Sequence, residues 1–167
     1  MLRSYLFSIF ILLCAVLIET AVLSNITVLP AIPDLLLICT LYFSLNNGAV
    51  FGQSMGFISG LFIDFMSGAP FGLNCLVRTL LGYTSGLFKK VLNIKSFFVL
   101  FLIGLGGTVV KALFIYLASI FFPNMVSPYS IFSLVFVFEL GFNAFLTPFI
   151  FKFLGCFSKF IIVADKV

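Results

Sequence analysis

A chain of 167 residues that is 63% hydrophobic and only 8% charged cannot clothe a water-soluble domain, which draws on about 25% charged residues. With 25 Phe and a net charge of +4 it belongs in a bilayer, where an excess of Lys and Arg reports orientation rather than nucleic-acid binding. It has no His, so the commonest metal ligand and the usual neutral-pH proton shuttle are missing.

Apolar runs bounded by breakers predict six membrane-crossing helices in a single domain spanning the chain, at roughly 4–24, 33–47, 48–66, 71–88, 96–122 and 129–153. The first run follows Arg3 and meets no small-x-small cleavage site after Glu19, so it reads as an uncleaved helix and not a signal peptide. Pro30 and Pro33 close the first connection. Asp34 then supplies a carboxylate near the orphan N–H groups that begin the second helix, which is a capping signal. That second span is short, which suits a small tilt or a position nearer one interface.

"NNG", ending at Gly48, makes the next turn, and "MSGAPFG" makes another with Gly68, Pro70 and Gly72. Pro123 and Pro128 bracket the fifth connection. Pro148 lies inside the sixth span, removes a backbone hydrogen bond and predicts a kink. The tail after it is a basic, apolar strip suited to the inner leaflet.

Charge placement orients the bundle. Arg3 precedes span one; Lys89, Lys90 and Lys95 lie between spans four and five; Lys152, Lys159 and Lys166 sit at the end of span six and beyond. The connections after spans one, three and five carry no Lys or Arg. Both termini are therefore expected in the cytoplasm, in agreement with an even number of crossings.

Gly48, Gly52, Gly56 and Gly60 recur every fourth residue and lead to Asp64; Asn74, Arg78, Gly82 and Gly86 repeat the spacing in span four. Positions four apart share a helix face, drifting about 40° each step, and small residues there let a neighbouring backbone approach closely. Spans three and four are expected to pack as a tight antiparallel hairpin, although a homodimer interface would use the same stripe.

Arg78 is expected about 10 Å below the outer turn, with Glu139 and Lys111 at comparable depth and Glu19 and Asp64 nearer the outer face. Ionised groups at such depths face the bundle interior and pair. Asp64, Asn74, Arg78, Lys111, Glu139 and Asn143 therefore form a candidate interior network. It is either a structural set of ion pairs that fixes helix register or the lining of an outward-facing pocket.

No phosphate loop, nucleophile elbow or zinc-binding helix motif appears. "GLGG" at 104–107 reads as close packing within a helix. Four widely spaced cysteines without a Cys-x-x-Cys pair read as apolar filler. No enzyme, metal or cofactor is implied.

The ordered set "PDLLLICTLYFSL", "GFISGLFIDFMSGAPFGLNCL", "LLGYTSGLFKK" and "LGFNAFLTPFIFKFL" resembles the MreD family of rod shape-determining proteins. The resemblance implies an all-α, six-helix membrane bundle similar to the substrate-binding components of ECF vitamin transporters. It also implies a non-catalytic inner-membrane part of the cell-wall elongation complex. Such a part binds the MreC scaffold and works with RodA, a class B penicillin-binding transpeptidase and MreB. The alternative is a solute-binding component of an ECF-type transporter, which would need a separate ATPase.

Overall fold

A computed structural model describes residues 2–21, 31–66, 70–89, 91–92, 94, 96–123, 126 and 133–163. Gly68, Pro30, Pro128, Lys90, Lys95 and Lys166, to which the sequence assigned turns and inner-face charge, lie outside these residues. The described elements are α1 (Leu2–Ala21), α2 (Leu35–Asn47), α3 (Ala49–Met66), α4 (Leu73–Leu87), α5 (Phe97–Phe121), α6 (Leu134–Cys156) and a short α7 (Ser158–Ile161).

A helix thus occupies each of the six predicted segments, but they are not equal as crossings. Four of them, α1, α3, α5 and α6, are long and apolar enough to cross a membrane unaided. With 13 residues in α2 and 15 in α4, the other two fall short of the roughly 20 that the hydrocarbon core takes.

The shortness of α2 has a packing explanation. Every residue from Leu36 to Leu45 is buried, as expected of a helix that is apolar on all sides and wrapped by its neighbours. It packs against α1, α3, α4, α5 and α6, so it is the axis of the bundle. Leu36, Leu37, Ile38 and Phe43 join Leu12, Met55, Leu81 and Leu154 in the core, and the Tyr42 and Phe151 rings meet edge-on at 5.1 Å. At its C-terminus Gly48 takes φ +96°, and its N–H donates to the Ser44 carbonyl at 2.7 Å. A positive φ of this kind suits a residue without Cβ, and α3 starts one residue later.

Helices α3 and α4 form the closest pair in the molecule. A methyl group placed on Gly60 would lie 2.5 Å from the Asn74 carbonyl oxygen, and one on Gly86 2.5 Å from the Ala49 Cα. Gly52 and Gly82 face each other's backbone in the same way, and Gly56 faces the Arg78 carbonyl. The stripe is therefore spent inside the monomer, with backbone against backbone. Across the bundle Gly104 of α5 abuts Asn143, Ala144 and Thr147 of α6, which accounts for part of "GLGG". Gly106 faces open space.

Helix α6 runs unbroken through the buried Pro148 and on to Cys156, past the predicted end of its span. The tail then folds back rather than lying free. Phe160 contacts Phe7 of α1 at 5.3 Å, and the Arg3 guanidinium sits 4.6 Å over the Phe160 ring. The Val163 N–H donates to Asn47 Oδ1 at 2.7 Å, and Lys152 and Lys159 stay exposed. Arg3, Lys89, Lys152 and Lys159 therefore share one end of the bundle, by the alternating direction of the helices. Glu19, Asp34, Asp64, Arg78, Lys111 and Glu139 occupy the other half.

Candidate functional site: a buried ion-pair cluster

Asp34 caps α2: its Oδ1 accepts the Leu37 N–H at 2.8 Å. A cap alone would leave the carboxylate wet, yet Asp34 is only 3% exposed, and three other helices converge on it. Arg78 of α4 places Nη2 at 2.7 Å from both carboxylate oxygens. Lys111 of α5 donates from Nζ to Asp34 Oδ2 and to Glu139 Oε1 of α6, each at 2.7 Å.

Asn143, one turn after Glu139, accepts the Asp34 backbone N–H at 2.8 Å and donates to Thr108 Oγ1 at 3.1 Å. Thr108 in turn donates to the Gly104 carbonyl at 2.9 Å. The cluster ties α2, α4, α5 and α6 together at one height. Buried charges survive where opposite charges and hydrogen bonds surround them, and here two acids and two bases alternate in a chain.

Four of the six residues predicted for the interior network, Arg78, Lys111, Glu139 and Asn143, are brought together. The hub is Asp34, which the sequence marked only as a cap. The overlooked signal was its position, a lone acid opening an otherwise apolar helix.

Asp64 and Asn74 belong to a different arrangement and do not pair with Arg78. Asp64 Oδ2 accepts the N–H groups of Gly72 at 3.0 Å and Cys75 at 3.1 Å. Its Oδ1 accepts the Asn74 backbone N–H at 3.2 Å and the Asn74 side-chain amide at 2.9 Å. The N-cap position of α4 is Gly72, at φ +94° and without a side chain to cap with. Asp64 does the capping from the preceding helix, where a carboxylate meets orphan N–H groups and the positive end of the helix dipole. This is why the glycine line ends on an acid. With the backbones so close, the end of α3 is within reach of the start of α4.

A cleft of about 470 Å³ opens beside the cluster, lined by Glu19, Asp34, Asn74, Arg78, Lys111 and Glu139 and rimmed by Ile32, Ile63 and Val135. Glu19, near the end of α1, accepts the Leu36 N–H at 3.4 Å. Arg78 spends only Nη2 on Asp34; its Nε and Nη1 have no hydrogen-bond partner among the described residues. Among the described residues no group of three His, Cys, Asp or Glu is placed to hold a metal ion. The arrangement can lock helices in register and can receive a small polar group.

Long apolar helices around a buried charge cluster define a multi-pass helical membrane protein held together by internal polar contacts. Residues 1–157 match the family described as rod shape-determining protein MreD. The chain belongs to the MreD family and is a component of the machinery that determines rod shape. No curated protein and no solved structure matches it.

Proposed function

We propose that this chain is a non-catalytic subunit of the bacterial cell-wall elongation complex that holds an MreC-like scaffold in the inner membrane. In that role it works beside a RodA-type glycosyltransferase, a class B penicillin-binding transpeptidase and MreB. The observation that carries this reading is family membership over residues 1–157. The structural support is rigidity: backbone contact between α3 and α4 and an ion-pair pin across four helices make a platform that keeps its shape when a partner docks.

In this reading the chain crosses the bilayer six times with both termini in the cytoplasm. The two short helices cross within the shelter of the others, and the basic end formed by Arg3, Lys89, Lys152 and Lys159 faces the cytoplasm. The partner helix does not use the glycine stripe, since α4 already fills it. The better seat is the apolar groove between α1 and α6, about 510 Å³, where the half-buried Cys14 lies in the lining with Phe10 and Phe153. Small side chains of this kind let a second helix approach.

Co-purification in mild detergent tests the reading. Recovery of an MreC-like protein, reduced by Cys14→Trp, is the expected result; its absence from wild-type preparations overturns it. The charged cleft favours one alternative, a solute-binding transport subunit. A melting-temperature rise with a water-soluble vitamin, together with a co-purifying ATPase, would mark that case.

A further inference from the structure

The ion-pair cluster leaves hydrogen-bonding capacity unspent on both sides of the cleft beside it. Arg78 is 3% exposed, and its Nε and Nη1 meet no acceptor among the described residues, although a guanidinium carries five N–H donors in a fixed fork. Glu19 accepts one long bond, 3.4 Å from the Leu36 N–H. A carboxylate can accept about four bonds. Both side chains line the same space of about 470 Å³, within the roughly 300–1,000 Å³ range of small-molecule sites.

Charge points the same way. Among the described residues three carboxylates, Glu19, Asp34 and Glu139, and two cations, Arg78 and Lys111, line the cleft. The other described cations, Arg3, Lys89, Lys152 and Lys159, are at the far end of the bundle. A cation alone would answer Glu19 and leave Arg78 unsatisfied. An anion alone would answer Arg78 and add a further negative charge beside Glu19.

We propose that the cleft binds a small zwitterionic group, a primary ammonium joined by a short linker to a phosphate or carboxylate. The ammonium pairs with Glu19, and the anionic oxygens take the free N–H groups of Arg78. A phosphoethanolamine lipid headgroup and a free zwitterion of the same type carry this chemistry equally well, and the apolar rim of Ile32, Ile63 and Val135 gives acyl chains a place to leave. The inference does not depend on which partner the protein has in the elongation complex.

Thermal melting of the delipidated full-length protein in detergent tests it, with five probes: phosphoethanolamine, ethanolamine, inorganic phosphate, and short-chain phosphatidylethanolamine and phosphatidylglycerol. At tenfold excess over Kd a bound ligand raises the melting temperature by about 3–6 °C for a chain of this length. A shift with phosphoethanolamine that exceeds those of ethanolamine and phosphate supports the proposal and makes the free group sufficient. A shift with phosphatidylethanolamine but neither phosphoethanolamine nor phosphatidylglycerol supports it with the lipid as source. Glu19→Gln, judged folded by an unchanged baseline melting temperature, is expected to weaken the zwitterion by about tenfold or more through loss of the charge pair. Equal responses to both lipids, a full response to ethanolamine alone, no response to any probe, or an undiminished shift in Glu19→Gln overturns the proposal. If that variant does not fold, the probe comparison on the wild type decides.

Discussion

Arg78 reaches across 44 positions of sequence to set one guanidinium nitrogen 2.7 Å from both oxygens of Asp34. Each residue is buried to within a few per cent, so neither can turn to water if the other is removed. Breaking a buried pair from one side costs about 3–5 kcal/mol because a charge is stranded. Arg78→Leu is therefore expected to lower stability in detergent by that amount, measured by thermal melting or denaturant titration. Lys159→Leu at the exposed basic end is expected to change it by less than about 0.5 kcal/mol. Equal effects would mean that the pair holds nothing together.

Coupling between the partners gives a second test. Removing Asp34 as well as Arg78 withdraws the stranded charge, so the double variant Asp34→Leu/Arg78→Leu should be less damaged than the two single changes added. The expected interaction energy is about 1–3 kcal/mol, the size found for residues in one network. The residual loss reports the Asp34 cap and the Lys111 contact.

Glycine positions separate packing from propensity. A methyl at Gly56 runs into the Arg78 carbonyl, whereas one at Gly106 meets nothing. Gly56→Ala is expected to cost about 1–3 kcal/mol by overpacking, and Gly56→Leu to reduce the yield of folded protein sharply. Gly106→Ala gains helix propensity and is expected to be neutral or stabilising by up to about 1 kcal/mol. Expression yield and melting temperature of the three variants check this.

Asp64 offers a graded contrast. It accepts three backbone N–H groups at the start of α4 and the Asn74 side-chain amide but pairs with no cation among the described residues. Asp64→Ala should cost about 0.5–2 kcal/mol, the usual value of a cap, and so less than Arg78→Leu. A loss as large as that of Arg78→Leu would show that Asp64 carries more than the α4 terminus.

Much of the fold is legible in the amino-acid order. Pro33 with Asp34, the turn at Gly48, and the Pro70 to Gly72 break mark helix boundaries by local backbone chemistry, which acts over a few residues. The glycine spacing also marked the α3–α4 pair correctly, because only small side chains let two backbones touch. The charge cluster was half legible: depth along each helix grouped Arg78, Lys111, Glu139 and Asn143. It also grouped Asp64 with them and left Asp34 out. Asp64 sits at the end of a hairpin so close that the neighbouring helix start claims it first.

What the amino-acid order determined by itself was where the helices lie, that they belong in a bilayer, and which two of them meet backbone to backbone. Those properties follow from composition, breakers and residue size. Which acid meets Arg78 was decided only by the tertiary structure. Around a soluble core, polar and apolar faces point each helix inward. In a bilayer, lipid and protein interior are equally apolar, so the pattern of Leu and Phe leaves the rotation of a helix about its axis open. That rotation was settled when α2 was enclosed on all sides and its first carboxylate came to lie among the cations of α4 and α5.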